Sequence, residues 1–229
     1  MKGHHKIKIS QRNLNRDCRA RGFSLLEMMI VICVLMIVGG IGFMALQPAL
    51  RDAKVNQAFE SAMMPLRVAR QRAIAERKQY IVCYGLAAPA GAVTPIAPTA
   101  QSIQTFRWDA GTALSAATQI TAVTLPQDIQ FQTIAGLPNG VATVPDGFGN
   151  ATVALDFDQN VAGAIKNQVM FMPDGSAHDV NGNLNSGILY LARNGDLYSS
   201  RAVTLYGATG RIRGWRLLSF GGAPKWYQQ

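Results

Sequence analysis

Hydrophobic and polar positions divide the chain into stretches with different periods. From Met28 to Leu46 nineteen residues run without a charge, MMIVICVLMIVGGIGFMAL. That approaches the ~20 apolar residues a helix needs to cross a bilayer. Beyond Leu46 the pattern becomes amphipathic. Val55, Phe59, Ala62, Leu66, Ala69 and Ala73 recur at helical spacing with Met63 and Ile74 alongside, while Arg51, Asp52, Glu60, Arg67, Arg70, Arg72 and Glu76 fill most other faces. This predicts one helix from Phe23 to about Lys78, roughly 80 Å long at ~1.5 Å per residue. Its transmembrane half covers 23–46 and its amphipathic half 47–79. Pro48 and Pro65 each remove a helical hydrogen bond at a cost of about 3 kcal/mol, so a bend is expected near each. Gly39, Gly40 and Gly42 read equally as a weak point or as a close-packing face.

From Tyr80 onward short apolar runs alternate with turns, as in a chain of antiparallel strands. The strand candidates are Tyr80–Tyr84, Ile103–Trp108, Ile129–Thr133, Val153–Phe157, Val169–Met172, Ile188–Ala192, Ala202–Leu205 and Arg211–Leu218. Pro145-Asp146-Gly147, Pro173-Asp174-Gly175 and Asn194-Gly195 are turn signals. The Ala- and Pro-rich run Ala87–Ala100 reads as a long loop. The fold class is therefore α+β: a long N-terminal helix, then a mostly antiparallel β head over 80–229.

Charge changes the picture of the first residues. The chain carries a formal +9, but residues 1–22 hold seven basic residues and one acid. The remaining 207 residues hold 15 basic and 12 acidic side chains. Basic residues ahead of the apolar run place that end in the cytoplasm and the head outside. Secretory signal peptides also start basic, but their cut follows the apolar core, and no convincing small-x-small site follows this one. Cys18, Cys33 and Cys83 read as unpaired thiols, with Cys83 buried. Cys18 follows Asn15-Arg16-Asp17 rather than a lipoprotein cleavage sequence.

Glu27 does not fit a plain anchor, because a carboxylate at membrane depth costs a few kcal/mol and usually has a partner. Its context is Arg21-Gly22-Phe23-Ser24-Leu25-Leu26-Glu27-Met28-Met29-Ile30-Val31. This run resembles the type III signal of type IV prepilins and type II secretion pseudopilins: a Gly before the cut, an aromatic first mature residue and a Glu at the fifth mature position. Leu66–Ile74, Phe171–Gly175, Arg201–Leu205 and Gly210-Arg211-Ile212-Arg213 resemble the GspH/FimT branch of the same superfamily. The resemblance implies a leader, 1–22, removed between Gly22 and Phe23 by a prepilin peptidase that also N-methylates Phe23. It implies a pilin-like head of two β-sheets. Glu27 would neutralise the Phe23 amine of a neighbouring subunit during filament assembly. The implied function is that of a minor pseudopilin or minor pilin. The chain would sit once across a bacterial inner membrane with a periplasmic head, then enter a pilus or pseudopilus with other pilins as partners.

Candidate chemistry elsewhere is sparse, and no catalytic residue, cofactor or metal site is assigned. His178 reads as a solvated loop residue. Asp179-Val180-Asn181-Gly182-Asn183-Leu184-Asn185 has the alternate oxygens of a calcium loop but lacks its sixth-position glycine and twelfth-position glutamate. After Asp196 there are no acids, whereas Arg201, Arg211, Arg213, Arg216 and Lys225 follow. On a strand, Arg211, Arg213 and Trp215 share one face and Ile212, Gly214 and Arg216 the other. Two arginines beside an indole suit a phosphate backbone and a stacked base. Gly210-Arg211-Ile212-Arg213 resembles the Gly-Arg-x-Arg string associated with DNA binding in FimT-like minor pilins. DNA uptake, through Arg211, Arg213, Trp215 and Arg216, is therefore the alternative function; the same arginines read equally as a solvated strand that pairs with the acidic part of the head or with a neighbouring subunit.

Overall fold

The computed structural model describes residues 22–138, 140, 142–149, 151–157 and 167–229. The leader proposed for 1–22, apart from Gly22, and Cys18 lie outside these residues. Helix α1 spans Leu25–Glu76. Among the described residues eleven strands follow: β1 (Gln79–Tyr84), β2 (Ser102–Trp108), β3 (Thr118–Thr124), β4 (Ile129–Gln130), β5 (Leu155–Asp156), β6 (Gln168–Phe171), β7 (Ala177–His178), β8 (Gly187–Arg193), β9 (Arg201–Tyr206), β10 (Arg211–Phe220) and β11 (Ala223–Gln228). The chain divides into two compact units, Met1–Gln47 and Pro48–Gln229.

In the first unit every described residue is exposed, including the whole apolar run from Phe23 to Leu46. The helix is long and apolar enough to cross a membrane by length and composition. Its helical assignment continues without interruption through Pro48 and Pro65.

In the second unit α1 buries Val55, Ala58, Phe59, Ala62, Met63, Leu66, Ala69 and Ala73. That is the stripe read from the sequence with two differences: Ala58 is buried as well, and Ile74 stays exposed. Four of the eight are alanines, whose single methyl lets strands approach the helix closely. The Tyr84 hydroxyl, for instance, reaches the carbonyl of Ala62 at 3.0 Å. Two antiparallel sheets meet this stripe. One has the order β3-β2-β1-β6-β7; the other runs β11-β10-β9-β8-β4, with β5 also pairing β8. Tyr80, Val82, Val169 and Phe171 from the first sheet join Leu189, Leu191, Val203 and Leu205 from the second in one core with the helix.

The strands alternate, so their other faces also need cover. Ile81, Cys83, Phe106 and Met170 are covered by Ala87 and Ala117, with Ala92 and Leu114 partly buried against them. Ile188, Tyr190, Ala202, Leu217 and Trp226 are covered by Leu137, with Phe148 and Ala151 packed alongside. Burial pushes the Cys83 thiol well above its ordinary range. The long connections thus serve as lids over the outer faces of both sheets.

Two expected strands are shorter than their apolar runs. Ile129 and Gln130 pair with Arg193 and Ala192, while Leu155 and Asp156 pair with Leu189 and Ile188. Both therefore share the same edge of the seven-residue β8, which leaves each only two positions. Among the described residues Arg201 is the largest fully buried side chain. Its guanidinium donates to the carbonyls of Tyr198, Ser199 and Ser200 and to Asn56 Oδ1 at 3.1 Å. Burial first, then the nearby Arg216, pulls it down to about 10 against the opposing pull of Asp52 and Asp196.

Candidate functional site

Gly22, Phe23 and Ser24 precede α1, and Glu27 lies in its first turn. All four are exposed, which leaves the Gly22–Phe23 peptide accessible. A carboxylate in a first turn is favoured by the unpaired helical N–H groups there. Among the described residues no hydrogen bond or ion pair engages Glu27. A free amine at Phe23 would stand one turn from it.

A second candidate lies in the head, where the β9–β10 turn meets α1. A cleft of about 690 Å³ is lined by Arg67, Arg70, Asp146, Tyr206, Arg211 and Arg213, among others. Arg67 and Arg211 are exposed. Arg70 is fixed: its Nε donates to Gly175 O at 3.1 Å and its Nη2 to Thr209 O at 2.9 Å. Carbonyls hold this guanidinium in place without neutralising it. At Gly210, which has φ +59, a Cβ would meet Gly175 O and Arg70 Nε, so only glycine lets the two turns close on that arginine.

The pairing of β9 with β10 sets the outward face. Arg211 lies opposite Tyr206, Arg213 opposite Thr204 and Trp215 opposite Ala202. Arg213 pairs with Asp146 Oδ1. Thr204 Oγ1 donates to Asp146 Oδ2 at 2.5 Å and accepts from Trp215 Nε1 at 3.0 Å. The four residues named from the sequence are therefore not gathered at one place. Arg211 and Arg213 line the cleft, whereas Trp215 packs partly into the outer apolar cluster. Arg216 projects from the other face, opposite Arg201. The aromatic ring at the cleft is Tyr206, 52% exposed and stacked on Phe148 at 6.1 Å. Sequence reasoning missed Tyr206 and Asp146 as site residues and left Arg67 and Arg70 on a solvated helix face. Arg67 and Arg70 stand at i, i+3 beside buried Leu66 and Ala69, but that spacing alone does not distinguish a site from a solvated face.

His178 is not the free loop residue expected. It is half-buried in β7, with Nε2 2.9 Å from Ser176 Oγ and Nδ1 2.7 Å from Gly182 O. Ser176 Oγ donates to Asp174 Oδ1 at 2.5 Å. That hydrogen bond, with the Ser176 amide, holds the Asp174 carboxyl below its usual range. The order is wrong for a nucleophile, because the aspartate accepts from the serine instead of orienting the imidazole. The set locks a turn. Asp179 does the same: Oδ1 accepts the amides of Asn181 and Asn183 at 2.9 and 2.8 Å. Burial opposes ionisation of Asp179, but the Asn183 and Asn181 amides outweigh it and keep the carboxyl below its usual range.

No match was found among curated proteins. Two solved structures are similar in outline. The minor pseudopilin EpsH of the type 2 secretion system of Vibrio cholerae is 12% identical, covers 71% of this chain and 97% of its own, and has a TM-score of 0.42. The type IV minor pilin FimU of Pseudomonas aeruginosa is 11% identical, covers 73% and 89%, and has a TM-score of 0.39. Residues 17–43 match the prokaryotic N-terminal methylation motif, and the chain thus carries this motif, with Gly22, Phe23 and Glu27 inside it, at the start of its long apolar helix.

Proposed function

We propose that the protein is a minor subunit of a type IV pilin-like filament, a type II secretion pseudopilus or a type IV pilus. Its precursor sits in a bacterial inner membrane through α1, with the head on the periplasmic side. A prepilin peptidase cuts the exposed Gly22–Phe23 bond and methylates the new amine. The subunit then leaves the lipid and packs α1 among the helices of other pilins. The observation that carries this reading is the methylation motif at the start of an apolar run, Phe23 to Leu46, that is exposed throughout. In a dry filament core an isolated ammonium or carboxylate is costly, and each offsets the other when adjacent. Removing one partner of such a pair costs about 3–5 kcal/mol. Glu27→Ala should therefore still be processed, seen as loss of the leader on a gel, yet fall strongly in the sheared filament fraction. Wild-type recovery of that variant would refute the role given to the carboxylate.

A second reading, DNA contact through the head, is favoured by the cleft, where four arginines face one aspartate. Two exposed and two anchored guanidiniums suit neighbouring phosphates of a backbone. Salt-sensitive retardation of DNA by the full chain is its measurement.

A further inference from the structure

Among the described residues Asp146 is the one acid lining the arginine cleft, and its position is unusual. It sits in the short turn Pro145–Gly147 with φ 51 and ψ 14, a left-handed conformation that glycine adopts freely and other residues adopt at a cost. The turn nonetheless aims both carboxylate oxygens at the β9–β10 surface. One pairs with Arg213 and the other accepts from Thr204 at 2.5 Å. The side chains of Arg213 and Asp146 are only 26% and 19% exposed, so water screens the pair less than it would a surface contact. Arg67 and Arg211 in the same cleft have no acid within ion-pair distance among the described residues. A carboxylate that accepts from a guanidinium and a hydroxyl occupies the position a phosphate oxygen would take beside those arginines.

We propose that Asp146 is a built-in competitor for a phosphate-bearing ligand, holding Arg213 until the phosphate, drawn in by Arg67 and Arg211, displaces it. This rests on the second reading above only in that both use the cleft. The competitor makes the cleft selective. A single weak anion does not release Arg213, whereas a ligand with several phosphates engages Arg67, Arg70 and Arg211 together and does.

The test titrates the full chain in detergent micelles with two probes, tripolyphosphate and a fluorescent DNA duplex, at about 0.1 M salt. Asp146→Asn keeps an acceptor for Thr204 but removes the charge. Asp146→Gly suits the left-handed backbone and stands in if the first variant folds poorly by thermal melting. Either should tighten duplex binding about eightfold, the gain from one further released counterion at this salt, and steepen the salt slope by about 0.9. In an Arg213→Gln background Asp146→Asn should give a smaller gain than it gives in the wild type, because only the repulsion between the carboxylate and the phosphate is then removed and no guanidinium is released. Tighter tripolyphosphate binding without any DNA binding upholds the competitor and overturns the DNA reading. DNA binding that is unchanged by Asp146→Asn and Asp146→Gly does the reverse. A gain of undiminished size in the Arg213→Gln background overturns the proposal, as does failure of every protein to bind either probe at low salt.

Discussion

Gly214 offers a sharp test of how β10 is seated on the helix. A Cβ at this position would lie 2.4 Å from Phe59 Cζ and 3.3 Å from both Cε atoms. Ordinary contacts are roughly 1 Å longer than the shortest of these. Phe59 is 3% exposed and enclosed in the core, so its ring has little room to retreat. Overpacking of this kind costs about 1–3 kcal/mol. Replacing glycine by alanine inside a strand would otherwise gain about 0.5–1 kcal/mol. Gly214→Ala should therefore destabilise by about 0.5–2 kcal/mol, a fall in Tm of some 2–4 °C per kcal/mol for a head of this size. In a Phe59→Leu background the obstructing end of the ring is gone, and the same substitution should turn neutral or stabilising. The assay is thermal unfolding of the full chain in micelles followed by tryptophan fluorescence, since Trp108, Trp215 and Trp226 all lie on head strands. Equal destabilisation by Gly214→Ala in both backgrounds would refute the steric argument. The contact also matters for the cleft, because it fixes how near Arg211 and Arg213 come to Arg67 and Arg70.

Two further outcomes follow from the turns. Arg70→Lys should loosen both turns that Arg70 holds, because a compact ammonium does not reproduce a planar fork reaching Gly175 and Thr209; hydrogen exchange should quicken around 174–176 and 207–211, and unchanged protection would count against the latch. Asp179 has a depressed carboxyl, so its contribution to stability is fully present above the ordinary value near ~3.9 and is lost as pH falls through the lower folded value. A Tm profile from pH 7 to pH 2 should drop on the acid side, and Asp179→Asn should flatten part of that drop. Asp174 and Asp109, lowered in the same sense, contribute to what remains, and superimposable profiles would contradict this account.

What the sequence made legible was local. Gly22, Phe23 and Glu27 lie within six consecutive residues, so no folding is needed to bring their pattern together. The helical stripe and the buried runs at Tyr80–Tyr84 and Ile188–Ala192 follow from periodicity and high apolar content. Strand β3, Thr-Gln-Ile-Thr-Ala-Val-Thr, escaped notice because it lies at a sheet edge and exposes much of its surface, although its β-branched residues were a usable signal. Strand β11 contains Pro224, which an edge strand tolerates because one side of it needs no partner. The cleft was out of reach. Arg70 and Thr209 are 139 positions apart, and nothing in the spacing of arginines says that a helix end and a strand turn will converge. The alternation of β10 correctly separated Arg216 from Arg213, but the acid that pairs with Arg213 comes from a turn 67 residues earlier.

Strands β4 and β5 are pinned to neighbouring stretches of the same β8, at Ala192 and Leu189. At about 3.3 Å per residue the two attachment points are roughly 10 Å apart. Residues 131–154 therefore leave and re-enter the sheet almost where they started, with the geometry of a cassette. Closing a longer or shorter excursion between such fixed ends changes the free energy only slowly with length. Any substitute for this connection must still cover Ile188 and Tyr190, as Leu137 and Phe148 do. Asp146 belongs to it, so the counter-ion of the arginine cleft and the arginines it faces come from separate elements of the fold, a turn on one side and a helix and a strand on the other.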